Sequence, residues 1–210
     1  MSEKALSWTY TEEIADQDDV IAKARALGEE LGAPAVSRAS GAMLRTLAGA
    51  MGARTVLEIG TGTGTSALYL LEGMAASGVI TSIDIESEFH KAARGLFRDA
   101  GIPSQHTRLI TGRALEVLPR MAHNAYDMVV IDGDVNEVDA YLRHAWELVR
   151  PGGAVVLLHA LSHDQVADPA RRDPETVQMR EAIKSLQDKD SWIGSVLPIG
   201  DGMAIGIARK

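Results

Sequence analysis

Short apolar segments alternate with helical patterns along the chain after residue 54. The helical pattern is clear where Phe89, Ala93, Leu96 and Ala100 fall on one face. Hydrophobic residues run continuously through the apolar segments, which is typical of strands covered on both faces. Repeated strand–helix units predict a doubly wound α/β sheet that is mostly parallel. The five predicted strands are TVLEI, VITSID, TRLIT, YDMVVID and GGAVVLL.

The two ends of the chain follow other patterns. Residues 1–53 have the spacing of two or three amphipathic helices. Near the other end, WIGSVLPI and MAIGIA flank Gly200-Asp201-Gly202, which is typical of a hairpin turn. The sequence therefore predicts seven strands that end in an antiparallel hairpin. We expect a single domain, in which a helical segment of residues 1–53 packs on the sheet domain of residues 54–210.

The composition excludes several classes of function. Hydrophobic residues make up 46% and charged residues 24%, which is ordinary for a soluble globular protein. A net charge of −8 disfavours DNA and anionic membranes as partners, because both bind clustered Lys and Arg. Without cysteine the chain has neither disulfides nor a thiol nucleophile. With no leader pattern and no apolar run longer than AVVLL, we expect a cytoplasmic protein without a membrane partner.

The stretch TVLEIGTGTGTS places an acid in an apolar strand just before a glycine-rich turn. A buried Glu58 needs a partner, either a cationic group of a ligand or a nearby arginine. Asp84 ends the next strand, where a carboxylate binds ribose hydroxyls or caps a helix. The dinucleotide fingerprint has a glycine where Thr65 stands, so a pyrophosphate is disfavoured. These residues favour a nucleoside that carries an amino group.

Five motifs in order give the chain a family resemblance. They are VLEIGTGTGTSALYL, ITSIDIE, TGRALEVLP, YDMVVIDGD and VRPGGAVVLL. They resemble the class I S-adenosylmethionine-dependent O-methyltransferases of the catechol and caffeoyl-CoA type, particularly a bacterial branch of small members, over roughly residues 30–210. The resemblance implies methyl transfer from S-adenosylmethionine to a hydroxyl of a small molecule by a homodimer.

The resemblance also implies which residues contact the cofactor. The methionine half is held by the glycine turn and its neighbours, the ribose by an acid, and the adenine by two apolar side chains. An acid at the end of the fourth strand faces both the cofactor and the acceptor. The resemblance gives the methionine half to Glu58, Gly60, Thr61, Gly62 and Ser66, the ribose to Asp84, and the adenine to Ile85 and Ala114. Asp132 is the acid that ends the fourth strand, and Asp134 lies close by. Val36 closes over the cofactor.

The chain departs from the metal-dependent members of this family. Those members hold Mg²⁺ with the acid matching Asp132 and an Asp-Asn pair that is His159-Ala160 here. The lysine base of catechol-specific members falls at Val135. Only Asp132 remains as a strong oxygen ligand for a hard cation, so metal dependence is open.

His159 admits three interpretations. It is a general base for a hydroxyl, since histidine ionises near neutral pH, or a structural residue that bonds Asp132 or a backbone carbonyl. The third interpretation is a softer cation held by Asp132, His159 and His163, since imidazole suits transition metals.

Other features leave further alternatives open. The polar stretch Ser162–Asp173 either contacts substrate or is a surface connection. Trp8 and Tyr10 lie in a segment expected to cover the acceptor, whereas Trp146 and Trp192 are expected in the core. Rival functions are an RNA-modifying methyltransferase, a binding protein that has lost catalysis, and a nicotinamide-dependent oxidoreductase.

Overall fold

The computed structural model describes residues 3–210, which form one seven-stranded sheet with helices on both faces. The strand order is β3-β2-β1-β4-β5-β7-β6, and only β7 runs antiparallel to its neighbours. The predicted doubly wound sheet and its closing hairpin are confirmed. The strands are β1 Thr55–Ile59, β2 Val79–Asp84, β3 Thr107–Thr111, β4 Tyr126–Ile131, β5 Val149–Leu158, β6 Trp192–Leu197 and β7 Met203–Ala208.

Eight α-helices of the described chain connect and cover these strands. Helices on one face bury a core that contains Leu44, Leu70 and Phe97, and those on the other face bury Leu118, Tyr141 and Leu186. Both faces of β1 and β4 are therefore covered, which explains their continuous hydrophobicity. The helices are α1 Glu3–Ile14, α2 Asp19–Leu31, α3 Arg38–Met51, α4 Thr65–Gly73, α5 Ser87–Asp99, α6 Ala114–Val117, α7 Val138–Leu148 and α8 Pro174–Leu186.

The parallel register aligns the ends of the central strands at one edge of the sheet. Glu58 of β1 is paired with Ser82 of β2 and with Val130 of β4. Asp84 ends β2, and Asp132 directly follows β4. Three carboxylates therefore meet at the carboxyl edge, where ligands of open α/β sheets bind.

The N-terminal segment joins the main core through two of its three helices. Ile21 and Ala24 of α2 and Leu44 and Ala48 of α3 are buried against residues of the sheet and its helices. By contrast, α1 has no buried residue. The number of helices agrees with the sequence, and the division into residues 1–53 and 54–210 stays a prediction.

The connection from α7 to β5 contains no loop, although the proline and glycines of RPGG are typical of a helix end. Helix α7 ends at Leu148 and β5 starts at the next residue, so that RPGG lies inside the strand. Tyr126 pairs with Val149 and Met128 with Ala154, which leaves residues 150–153 in a bulge. A bulge tolerates proline, which has no N–H to donate, because the ladder needs no donor at that position.

Two further expectations concern apolar residues. The rings of Trp146 and Trp192 pack edge to face with centroids 4.8 Å apart, as expected for residues of the core. No helix within residues 3–210 is long and apolar enough to cross a bilayer.

Candidate active site

Three adjoining cavities lie along the carboxyl edge of the sheet, and Asp132 lines all of them. The β2 cavity, about 300 Å³, lies between the ends of β1, β2 and β4. The glycine-turn cavity, about 260 Å³, lies over residues 60–66, and the β5 cavity, also about 260 Å³, lies beyond the end of β5. Asp132 is thus the point where the three spaces meet.

The glycine turn, residues 60–64, leaves β1 and is held by the acid at the end of β2. Oδ2 of Asp84 accepts hydrogen bonds from the backbone N–H groups of Thr61 at 2.8 Å and Gly62 at 2.9 Å. Gly60 has φ +91°, and a Cβ there would lie 2.0 Å from the carbonyl oxygen of Asp132. Only glycine allows β1 to end so close to the end of β4.

Asp84 does not cap a helix. The N-cap of α5 is Glu86, whose side chain makes no capping hydrogen bond, and Oδ1 of Asp84 accepts from the N–H of Glu86 at 2.9 Å. The Asp84 carboxylate thus shapes the turns on both sides of the β2 cavity and also lines that cavity. Since a carboxylate accepts about four hydrogen bonds, it retains capacity for a ligand hydroxyl.

Glu58 is fully buried and is bonded by two hydroxyl groups, with no arginine beside it. Ser66 donates to its Oε1 at 2.6 Å, and Ser82 donates to its Oε2 at 2.5 Å. Burial raises the pKa of Glu58 to about 7, although the two hydroxyls oppose the shift; Asp132 and Asp84 raise it further. The arginine partner considered from the sequence is therefore absent among the described contacts of this carboxyl group.

A buried polar chain continues from Ser82 towards β3. The hydroxyl of Thr61 lies 2.6 Å from that of Ser82 and 3.0 Å from Nε2 of His90. Nδ1 of His90 lies 2.8 Å from the hydroxyl of Thr111. Burial lowers the pKa of His90, so that its neutral form is favoured. These hydrogen bonds hold the glycine turn on its buried side.

The walls of the β2 cavity are apolar on one side and polar on the other. Ile85 is 57% exposed, and it lines the cavity together with Ala114. The hydroxyl of Tyr141 donates to Glu137 at 2.6 Å, and Arg113 pairs with the same carboxylate at 2.5 Å. Predicted cofactor residues thus share the cavity with a polar wall that the sequence reasoning missed. Asp134 also lines the cavity, while its carboxylate caps the turn at Asn136.

The glycine-turn cavity contains a buried hydroxyl without a partner. Thr65, at the start of α4, is 3% exposed, and its Oγ1 makes no hydrogen bond within the described structure. Its neighbour Ser66 uses its hydroxyl proton on Glu58 and cannot donate it to a ligand at the same time. Val36 closes the other side of the cavity and is 4% exposed. The unpaired Thr65 hydroxyl points to a polar ligand group here, since buried polar atoms are normally bonded.

His159 lies between two carboxylates at the entrance to the β5 cavity. Its Nε2 is 3.4 Å from Oδ1 of Asp132, and its Nδ1 is 3.3 Å from Oδ2 of Asp201. Burial raises the pKa of Asp132, His159 lowers it, and Asp84 raises it further. The side chain of His159 is 45% exposed. Asp201 belongs to the hairpin turn and was not among the residues predicted for the site.

The third interpretation of His159 required a cation site. Within residues 3–210 no three His, Asp or Glu side chains are arranged to hold a metal ion. His163 has an 84% exposed side chain, and its Nδ1 lies 3.7 Å from Asp201. The structure therefore does not assemble Asp132, His159 and His163 as ligands of one ion.

The structure brings most of the predicted residues together, with exceptions on the acceptor side. Ser162 and His163 line the β5 cavity, but residues 165–171 of the long connection are tied to α8. Arg180 donates to four carbonyl groups there, those of Gln165, Val166, Asp168 and Arg171. Trp8 and Tyr10 lie on α1, which packs beside α3, and they do not line the β5 cavity. That they cover the acceptor stays a prediction.

The strand order, the glycine turn and the acids at the strand ends define a Rossmann-like methyltransferase. A model of the O-methyltransferase family matches residues 12–210. A protein of Mycobacteroides abscessus that carries an O-methyltransferase name is 41% identical over 195 residues, 93% of this chain and 91% of that protein. The chain therefore belongs to the O-methyltransferase family, which confirms the resemblance and the predicted enzyme class.

Solved structures agree with this assignment. A crystal structure from Corynebacterium glutamicum superposes with a TM-score of 0.91 at 32% identity and covers 100% of this chain and 98% of its own. The O-methyltransferase TomG of Streptomyces achromogenes, which is involved in tomaymycin synthesis and was solved with S-adenosylmethionine, gives a TM-score of 0.87 at 26% identity. The superposition with TomG covers both chains completely.

Proposed function

We propose that this enzyme transfers the methyl group of S-adenosylmethionine to a hydroxyl group of a small molecule. The observation that carries this proposal is the convergence of Glu58, Asp84 and Asp132 around the glycine-turn and β2 cavities. Of the described residues that line the glycine-turn cavity, none is Lys or Arg. Asp84 and Asp132 in the wall of this cavity, with Glu58 buried behind the turn, favour a positively charged ligand, and S-adenosylmethionine carries both a sulfonium and an amino group.

The same charge pattern argues against a dinucleotide. A pyrophosphate over residues 60–64 would lie beside Asp84, whose carboxylate occupies the N–H groups of Thr61 and Gly62. Those are the groups that would otherwise bind phosphate. A nicotinamide-dependent oxidoreductase is therefore disfavoured by the structure as well as by Thr65.

The residues fit the cofactor along its length. Glu58 would attract the amino group, and the unpaired hydroxyl of Thr65 would bond the carboxylate at the start of α4. Asp84 would accept from the ribose hydroxyls, and the exposed face of Ile85 would cover the adenine opposite Ala114. Val36, Gly60, Thr61, Gly62, Ser66, Asp132 and Asp134 line or support the same cavities and stay predicted cofactor-binding residues.

A metal does not fit the acceptor side. Asp132 is the one hard oxygen ligand left from the family's set, and the position of its partners holds His159 and Ala160. Mg²⁺ requires about six oxygen ligands in octahedral geometry. We therefore derive the reaction without a metal, and a metal role for Asp132 stays an untested alternative.

The chain's own residues perform two tasks in this reaction. S-adenosylmethionine supplies the methyl group as an electrophilic sulfonium. The walls of the β5 cavity, including Leu157 and Met179, would align an acceptor hydroxyl with the meeting point at Asp132. His159 would take the hydroxyl proton through Nε2 as a general base. Because a single imidazole replaces a chelated ion, one hydroxyl on the acceptor suffices.

Calorimetric titration with S-adenosylhomocysteine tests the cofactor assignment. We expect binding to the wild-type protein in the micromolar range or tighter. Absence of binding, at a protein concentration that detects micromolar affinity, refutes the proposal. Methyl transfer to a panel of phenols with and without Mg²⁺, Mn²⁺ and Zn²⁺ then separates an enzyme from a binding protein that has lost catalysis.

RNA as the acceptor is less well supported. The net charge is −8, and the described residues that line the β5 cavity include no Lys or Arg to bind phosphates. Retention of structured RNA at moderate salt would favour that alternative. A neutral or cationic small acceptor agrees better with Asp132 and Asp201 in the cavity wall.

We propose a homodimer that is formed through α1. Leu6, Tyr10 and Ile14 are spaced four residues apart on one face of this helix and are 53%, 61% and 60% exposed. A solvent-exposed apolar stripe of this kind is typical of an interaction surface. Light scattering after gel filtration should report a dimer for the wild type and a monomer for Tyr10→Glu. Location in the cytoplasm stays a prediction.

A further inference from the structure

The turn of the β6–β7 hairpin is hydrogen-bonded to the loop after β5 through Gly202, whose carbonyl oxygen accepts from the N–H of Ala160 at 3.0 Å, and through three contacts of Asp201. The carbonyl oxygen of Asp201 accepts from the N–H of Leu161 at 2.8 Å. Its carboxylate accepts from the N–H of His163 at 2.6 Å through Oδ1. The other carboxylate oxygen faces Nδ1 of His159 at 3.3 Å. One side chain thus fixes both the loop backbone and the imidazole.

The loop needs this support because its backbone is strained. His159 has φ +53°, and Ser162, His163 and Asp164 also have positive φ between 48° and 64°. Each such residue costs about 1–3 kcal/mol and persists only where the surroundings hold it. The hairpin approaches closely at Gly202, where a Cβ would lie 2.6 Å from the backbone nitrogen of Leu161. The C-terminal hairpin therefore determines where the imidazole lies.

We propose that Asp201 is a positioning residue that selects the tautomer of His159. An ionised carboxylate only accepts hydrogen bonds, so the facing Nδ1 must carry the hydrogen of the neutral ring. Of the two carboxylates beside the ring, only that of Asp201 is hydrogen-bonded to it in the described structure, because Nε2 lies 3.4 Å from Oδ1 of Asp132 but forms no hydrogen bond with it. Nε2 therefore keeps its lone pair at the meeting point of the cavities. The catalytic consequence of this inference rests on the proposed methyl transfer.

The two carboxylates beside His159 also favour the positive charge that its ring would gain during the reaction. The O–H bond of the acceptor breaks and its proton goes to Nε2 of His159, while the oxygen forms a bond to the methyl carbon and the carbon–sulfur bond breaks. The electron pair of that carbon–sulfur bond would stay on sulfur, so His159 would take over the positive charge that S-adenosylmethionine would bring to the site. Asp132 and Asp201 flank that ring at 3.4 and 3.3 Å and stabilise the imidazolium.

The decisive variant is Asp201→Asn. Asparagine keeps the size of the side chain and an oxygen that accepts from the N–H of His163, so the loop is retained. Its amide group would donate to Nδ1 and favour hydrogen on Nε2, which is the wrong tautomer for a base. We expect turnover to fall at least about tenfold, as when a base loses the carboxylate that orients it. The KM values for both substrates and the affinity for S-adenosylhomocysteine should change less than about twofold, because the contacts that bind the substrates in the ground state are retained.

Nitrogen-15 NMR of the histidine rings provides a readout that a merely structural role would not change. At about pH 8.5, where histidine is neutral, the His159 ring should carry its hydrogen on Nδ1 in the wild type and on Nε2 in Asp201→Asn. The signal is assigned by its loss in His159→Ala. Asp201→Glu, which restores a carboxylate, should recover part of both the tautomer and the turnover.

Two comparisons can overturn the proposal. Asp164→Asn removes a charge from the same loop without touching the imidazole and should leave turnover and tautomer as in the wild type. In the His159→Ala background, Asp201→Asn should cause no further loss of turnover. An unchanged tautomer in Asp201→Asn, or an equal loss with and without His159, contradicts the positioning role. If the wild type methylates no acceptor, the proposed function fails, whereas the tautomer measurement still decides the role of Asp201.

Discussion

The two halves of the site differ in how far their polar groups are already engaged by the protein. On the cofactor side, Glu58 is fully buried with hydroxyl partners at 2.6 and 2.5 Å, and Asp84 accepts three backbone hydrogen bonds below 3 Å. On the acceptor side, His159 is 45% exposed and lies more than 3.2 Å from both carboxylates beside it. The first half is built into the core, and the second stands open to solvent.

This difference separates the effects expected of mutations. Changes on the cofactor side remove groups on which the glycine turn and the ends of the strands depend, so they should alter stability and cofactor affinity. Changes at His159 remove a side chain with few structural partners, so they should alter turnover. Mutations in each half of the site test this division.

The largest effect is expected on the acceptor side. His159→Ala removes the proposed base, and turnover should fall about 10²–10⁴-fold, equivalent to roughly 3–5 kcal/mol in the barrier. Steady-state kinetics and calorimetry check this, with S-adenosylhomocysteine affinity staying within about twofold of the wild type. Turnover equal to that of the wild type would leave His159 with a structural role only.

The next effect concerns the glycine turn. Gly60→Ala would place a Cβ 2.0 Å from the carbonyl oxygen of Asp132 at φ +91°, so we expect a loss of about 4 kcal/mol of unfolding free energy from overpacking and backbone strain. Urea denaturation measures it. The matched control is Gly32→Ala at φ +73°, where nothing lies within 4 Å and strain alone should cost about 1 kcal/mol. Equal losses in the two variants would show that the close approach at Asp132 is unimportant.

A third test uses the pH dependence of stability. The pKa of Glu58 is raised from 4.5 to about 7 on folding, so the folded state holds its proton more tightly than the unfolded state. The stability it contributes is present below pH 4.5 and is lost as pH rises through 7, by about 3 kcal/mol. Urea denaturation between pH 4.5 and 8 should show this loss in the wild type relative to Glu58→Gln.

The control for this pH test is Glu88→Gln on the exposed surface of α5, which should keep the wild-type pH profile. Parallel profiles for the wild type and Glu58→Gln would mean that Glu58 is ionised throughout. The carboxylate would then be better solvated than its complete burial indicates.

The smallest effect is expected for Asp84→Asn. An amide oxygen can still accept from the glycine turn, but the charge that favours the ribose hydroxyls is gone. Affinity for S-adenosylhomocysteine should weaken by roughly 1–3 kcal/mol, measured by calorimetry. Asp99→Asn, at the far end of α5, is the control and should bind as the wild type does. Unchanged affinity would assign Asp84 to the turn alone.

The sheet could be predicted from the sequence because buried parallel strands and their helices leave strong local patterns. The five continuous apolar segments all form strands, and the hairpin lies where Gly200-Asp201-Gly202 indicated it. The bulge at residues 150–153 could not be predicted, because a helix end and a strand bulge use the same proline and glycines. The difference is decided by the pairing with β4, which is a long-range contact.

Most of the predicted cofactor residues lie together because they end or follow strands that the sequence pattern locates, and their roles stay predictions. The neighbours of His159 could not be located in this way. Asp201 follows His159 by 42 positions, and the sequence around it indicates only a turn. Its role depends on the antiparallel placement of β7 beside β5, which no local pattern encodes. The sequence left open whether Ser162–Asp173 contacts substrate or is a surface connection, and the structure divides it: Ser162 and His163 line the β5 cavity, whereas Arg180 binds residues 165–171 from α8.

The insertion of β7 between β5 and β6 has a consequence for synthesis on the ribosome. Strand β6 is synthesised before β7, although β7 is the strand with which it pairs. The edge of β5 also has no partner until β7 has been synthesised. Until that strand emerges, the nascent chain exposes two unsatisfied strand edges, which are sites for aggregation or chaperone binding. The parallel half of the sheet can form co-translationally, whereas the hairpin and the methyl-acceptor side are completed together as the last step.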